Sequence, residues 1–436
     1  MMSHWKGVSC CMNESLSDVY ELRIFMLTVF NRTAGRDGPY YSDVPCGSSL
    51  FLSLYPSHNN KMKVPLSELE DRLKRFRARM DRNRPGWEIA AIVGKIPLYY
   101  FTGTMQDGLL LIPHDGEAVF WVRQSFERAK IDSLFSHIRE MKSYRDVAVG
   151  MSSLPSTVYL ETDQMTIAQL KRLQKYLPFM DVQSVDEQVS AVRAVKSRYE
   201  LSLMEHAGKI HCHVLEDCIP GMLTEGIDEV ELTCDLYTLM VKEGHQGIIR
   251  FGMFNEMLLG QIGFGTSSIS PTCVNTPGGI FGMHPSVPLM GCRERKLKKG
   301  ELVVIDIGCG YKGYQTDKTM SYMFGRPIPD DAIREHYRCV EIQDQLAALL
   351  KPGAIPAEIY TTVMTDLEPE FLNNFMGFGK HKVKFLGHGI GLWIDERCRS
   401  LHRDSMNPFR KEWSLPSNPK KASRKSGLWG LRIPLS

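Results

Sequence analysis

The stretch Glu301–Gly325, ELVVIDIGCGYKGYQTDKTMSYMFG, decides how this chain is read. Leu302 to Ile307 is apolar on both faces of a strand and is broken only by Asp306. Gly310 to Gly313 predicts a turn, and Tyr314 to Met323 a return strand. With the turn centred between Tyr311 and Lys312, Asp306 falls directly opposite Asp317, with both side chains on one face and Cβ atoms roughly 5 Å apart. Like charges opposed in an apolar strand pair destabilise it unless something positive lies between them. A divalent metal ion is the natural partner, because two carboxylates can bridge or chelate one or two ions. Two other solutions stay open: a register shifted by one, which turns one aspartate outward, and protonation of one carboxyl.

Working outward, the hairpin is preceded by α/β patterning. Leu66, Leu69, Leu73, Phe76 and Met80 recur at helical spacing, with Ser67 and Glu70 as a capping box. Strands are expected at Ile89–Val93, Gly108–Ile112, Ala118–Val122 and Thr157–Leu160, and a helix over Ser125–Met141. A long helix is read from Val192 to Cys218, stopped by Pro220-Gly221, and a second over Ile227–Glu243. Beyond the hairpin, helices are expected over Pro329–Leu350 and Ile355–Asn373. Gly387-His388-Gly389-Ile390-Gly391 then sets an imidazole between glycines, which allow the backbone to approach a ligand closely. Within the first helix, His211, Cys212 and His213 point in different directions. His206 and His213 share a face that reads as solvated or core-edge. Asn275–Gly279 lacks the lysine of a phosphate loop.

Composition bounds the class. The 436 residues suffice for two or three domains, and 43% hydrophobic with 24% charged residues excludes global disorder, a collagen-like repeat and a disulfide miniprotein. The net charge of +3 is uneven: Arg397–Ser436 carries ten Lys or Arg against Asp404 and Glu412, a net of +8, leaving −5 for the rest. Positive charge confined to one end does not predict a nucleic-acid surface. The eleven cysteines are odd in number and lack CxxC spacing, which reads as reduced thiols in a cytoplasmic protein. The apolar run Ile24–Phe30 is too short to span a membrane.

Taken together, Asp306, Asp317 and the Gly387–Gly391 segment resemble the creatinase, prolidase and aminopeptidase P family of pita-bread metallopeptidases. Arg193-Ala-Val-Lys196 with Glu200, Leu223-Thr-Glu225, and Leu98-Tyr-Tyr-Phe-Thr-Gly103 are similar to further stretches of that family. The resemblance spans residues 65 to 396. It implies an α+β protein: a smaller α/β creatinase-type N-terminal domain over 65–190 and a pita-bread catalytic domain over 191–396. An irregular extension (1–64) and a basic non-periodic tail (397–436) flank them. It also implies two divalent ions, manganese, cobalt or zinc, with Asp306, Asp317 and His388 as ligands. The metal-bound water would attack an amide of a peptide before or at proline, in a homodimeric enzyme.

The departures are specific. The family's second histidine, seven residues after the metal-binding one, is Asp395 here, and its upstream histidine falls at Leu289, with His284 five residues away. Two glutamate ligands are expected on later strands, and nothing after Glu396 resembles them. Glu412, between Lys411 and Trp413, is no substitute. The last strands of the catalytic domain are thus expected to be incomplete and its activity weak. Two alternatives accompany the Xaa-Pro peptidase reading: a non-catalytic pita-bread module that binds peptides or proteins, and a creatinase-like hydrolase of small amides.

Overall fold

The computed structural model describes residues 27–28, 62–151, 155–252, 255–351, 353–396 and 401–403. The expected extension and basic tail lie almost wholly outside the described residues. The first described element, β1 (Leu27–Thr28), belongs to the larger of two compact units, Met1–Asp37 with Ala194–Ser436; the smaller is Gly38–Arg193.

The smaller unit is built on a mixed six-stranded sheet with helices between its strands. In chain order it holds α1 (Leu66–Asn83), β2 (Ile89–Ile92), α2 (Lys95–Thr102), β3 (Gly108–Pro113), β4 (Val119–Val122), α3 (Phe126–Asp132) and β5 (Ile138–Glu140). These are followed by α4 (Tyr144–Val149), β6 (Thr157–Leu160), α5 (Ile167–Gln174), β7 (Asp181–Ser184) and α6 (Asp186–Ala194). The sheet order is β5-β4-β3-β2-β6-β7, antiparallel through β2, β3 and β4 and parallel at both flanks. Leu69, Phe76 and Met80 are buried, as their spacing requires. The capping box is not formed: Pro65 occupies the cap with its fixed φ, so Ser67 and Glu70 lie inside the helix. The helix expected over Ser125–Met141 stops at Asp132. The chain then extends, and Phe120 N–H and Met141 N–H bond across it, so that Ile138–Glu140 pairs with β4.

In the larger unit, α7 (Arg198–Cys212) follows, separated from α6 by Val195–Ser197. The single helix read from Val192 is interrupted there because Ser197 and Glu200 cap each other: the Ser197 hydroxyl accepts from Glu200 N–H, and the Glu200 carboxylate from Ser197 N–H. After α7 the helix widens into a π-turn over His213–Cys218 and continues as α8 (Ile219–Met222). Pro220 does not stop it: although the proline has no N–H to donate, the helix runs on to Met222. Then come α9 (Glu229–Lys242), the hairpin β8 (Ile249–Phe251) and β9 (Asn255–Met257), β10 (Gly260–Phe264), β11 (Leu302–Tyr311) and β12 (Tyr314–Met323). The described part closes with α10 (Asp330–Leu349) and α11 (Pro356–Thr365), the latter shorter than its sequence pattern suggested.

The sheet order β1-β12-β11-β10 makes β11–β12 its centre. One face of that hairpin presents Val303, Ile305, Ile307, Cys309, Met320 and Tyr322 to a core completed by Ile210 on α7 and by Leu232, Leu236 and Met240 on α9. The opposite face carries the aspartates.

Candidate metal-binding site

The register of the hairpin differs from the one read from its glycines. Asp306 lies opposite Thr319, and Asp317 opposite Gly308. The loop is the two-residue pair Lys312-Gly313, both left-handed (φ 47° and 93°), the geometry whose twist matches paired strands. The shift is two residues, so side-chain parity survives: the aspartates share a face as diagonal neighbours rather than a direct pair. Asp306 is buried and its Oδ1 accepts the Thr319 hydroxyl at 2.5 Å.

His388 reaches this face from a tight loop. Glu396 N–H donates to the Gly389 carbonyl, and its carboxylate accepts from Leu392 N–H, folding Gly389–Glu396 back on itself. The loop is fastened to β12 by a residue the sequence reading did not single out. Gln315 donates its backbone N–H to the Gly391 carbonyl, its side-chain amide donates to Leu392 and Arg250 carbonyls, and its side-chain oxygen accepts from Arg250 N–H. Its only sequence signal was a buried-strand position filled by an amide two residues before Asp317 on the same face. Gly308 is needed for close approach: a Cβ there would fall 2.6 Å from Ile394 and 2.8 Å from Ile249.

This brings His388 Nε2 to 3.5 Å from Asp317 Oδ2. His388 Nδ1 lies 3.2 Å from the Gly389 carbonyl, which can only accept, and Nε2 faces the Asp317 carboxylate, which it meets favourably when protonated. Burial, the largest influence on His388, depresses its pKa, but Asp317, the Gly389 carbonyl and the charge of Asp395 outweigh it and raise the value. Asp395 accepts from Gly252 N–H at 2.6 Å, and burial pushes its pKa up against that bond and the charge of His388. The structure thus brings Asp317 to His388 and sets Asp306 on the same sheet face. His284 instead bonds Ser286 in an exposed turn, and Glu412 lies outside the described residues. His206 stacks on Tyr311 and His213 pairs with Asp217, consistent with surface roles.

Imidazole and carboxylate are the donor types that divalent ions take. Among the described residues, however, no three His, Cys, Asp or Glu side chains converge closely enough to hold one ion. The described residues therefore do not make the five-ligand, two-ion centre that the resemblance implies.

Comparison with known proteins agrees with this architecture. The profile of metallopeptidase family M24 matches residues 202–417, and that of the creatinase/prolidase N-terminal domain matches residues 72–195. An uncharacterized peptidase of Staphylococcus aureus (strain bovine RF122 / ET3-1) is 28% identical over 315 residues, 70% of this chain and 79% of the relative. The Xaa-Pro dipeptidase of Pyrococcus furiosus is 22% identical over 342 residues, 77% of this chain and 86% of the relative. The crystal structure of the prolidase from Pyrococcus horikoshii OT3 superposes with a TM-score of 0.60 at 21% identity, covering 78% of this chain and 87% of that one. With a creatinase-type N-terminal domain, a pita-bread domain and the hairpin and histidine loop in place, the chain belongs to the creatinase, prolidase and M24 metallopeptidase family.

Proposed function

We propose that this chain is an Xaa-Pro peptidase-type hydrolase whose ligand positions are Asp306, Asp317 and His388, and whose hydrolytic activity is weak. The observation that carries the reading is the hairpin itself: two aspartates on one sheet face, with Nε2 of His388 at 3.5 Å from one of them. The smaller domain over 65–190 and the hydrolase domain over 191–396 are part of this proposal, as are a homodimer and a cytoplasmic location. No described helix is long and apolar enough to cross a membrane. The chain's residues would bind a peptide carbonyl and backbone along the β11–β12 face, with Gln315 holding the His388 loop against it.

The test pairs elemental analysis of the purified protein with hydrolysis of an Xaa-Pro dipeptide in added manganese. Bound metal below one equivalent and slow turnover are expected, both lost in Asp306→Asn; retained activity in that variant would refute the ligand assignment. The absence of any converging trio among the described residues favours a second reading, a peptide-binding module without hydrolysis. Dipeptide binding with neither metal nor turnover would select it. Turnover of creatine in place of dipeptides would select the small-amide alternative.

A further inference from the structure

The face of β12 turned away from the aspartates holds a second polar group, independent of the peptidase reading. The Lys318 side chain is fully buried; its Nζ lies 2.5 Å from Glu216 Oε1 and 3.4 Å from Cys212 Sγ. Cys212 ends α7 and is only half-buried, so small solutes reach it. An ammonium beside a thiol favours the thiolate, the form that peroxides oxidise. The neighbouring thiols are placed differently. Cys309 is fully buried on β11, and burial, reinforced by the charge of Cys212, holds its thiol protonated. Cys218 lies 3.7 Å from His213, and burial, with the charges of Asp217 and Glu243, raises its pKa.

We propose that Cys212 and Lys318 form a reversible oxidative cross-link, a sulfenamide joining Sγ to Nζ. Hydrogen peroxide oxidises the thiol to sulfenic acid and is reduced to water. The Lys318 nitrogen, its extra proton passed to the Glu216 carboxylate, attacks sulfur; the S–N bond forms and the S–O bond breaks, releasing a second water. Two thiol equivalents reverse the link, restoring thiol and amine and leaving as a disulfide.

The experiment treats the full chain with hydrogen peroxide, blocks free thiols, and maps peptides by mass spectrometry with and without dithiothreitol. The expected result is a peptide pair joined through Cys212 and Lys318 with loss of two hydrogens, absent after dithiothreitol. In Lys318→Arg the pair should vanish while dimedone labelling of Cys212 sulfenic acid rises. Glu216→Gln, which leaves the amine in place, should slow cross-linking relative to sulfenic acid formation. No linked peptide in the unaltered protein, or Cys212 joined to Cys309 instead, overturns the proposal.

Discussion

The two faces of the β11–β12 hairpin bury charge in opposite ways. On the helix-packed face, Lys318 is matched by Glu216 and surrounded by Ile305, Ile307, Cys309 and Met320, so its charge is neutralised within the fold. On the other, Asp306 and Asp317 share a surface, Asp306 accepting the Thr319 hydroxyl and Asp317 facing the His388 imidazole. The first face is a structural solution, complete when the chain folds. The second concentrates negative charge beside an imidazole, which favours a cation or a proton and has little to offer stability.

Substitutions measure that difference, and the largest effect belongs on the packed face. Ile307→Ala should cost about 3 kcal/mol in urea unfolding, as for other large-to-small core changes, because Ile307 is 1% exposed. Asp306→Asn should change stability by less than about 1 kcal/mol, since it also removes a like-charge interaction. Equal costs at the two positions would break the distinction. Lys318→Met should also destabilise, by about 3 kcal/mol, at the low end for breaking a buried pair because Glu216 keeps some contact with solvent. A loss below about 0.5 kcal/mol would mean that the pair is not matched as described.

A buried carboxylate in the smaller unit sharpens the contrast. Glu161 accepts N–H groups of Val93 and Gly94, both at 2.7 Å, yet burial, its largest influence, raises its pKa from 4.5 to about 7. The folded state therefore holds a proton that the unfolded state has released between these values, and stability falls as pH rises from about 4.5 to about 7. The drop is expected to be about 3 kcal/mol. Glu161→Gln should flatten that slope in unfolding measured across the range, and an unchanged slope would remove Glu161 as its cause. The smallest effect is at the hairpin tip. Lys312→Asn should stabilise by about 0.5 kcal/mol, because asparagine tolerates the left-handed backbone better, which Lys312 adopts at φ 47°. Destabilisation would show instead that Lys312, 5.5 Å from the Tyr311 ring, contributes more through that contact.

Much of the fold was legible in periodicity. The apolar spacing of Leu69, Phe76 and Met80 gave a helix, and the continuous apolar run before Asp306 gave a central strand. The misreadings share a cause: local patterns yielded to partners distant in the chain or to caps. Ile138–Glu140 looked helical until β4 supplied a ladder, and Ser197 split a helix whose apolar spacing ran through it. Within the candidate site, Asp306, Asp317 and His388 could be singled out because charged or imidazole groups among apolar residues and glycines demand an explanation. Gln315 was not, because an uncharged amide carries no such penalty until its four-way bonding is seen.

The sequence by itself determined that two aspartates would share one face of a hairpin, because side-chain alternation along strands survives any even shift in register. It could not place them opposite or diagonal. That was decided by the left-handed pair Lys312-Gly313, whose geometry closes the loop in two residues. Nor could it bring His388, 71 residues beyond Asp317, to 3.5 Å from that carboxylate. That proximity exists only because Gln315 gathers strand β8 and the His388 loop and Gly308 leaves room for them. Parity is a local property of the backbone, whereas convergence depends on packing among residues that the chain itself holds far apart.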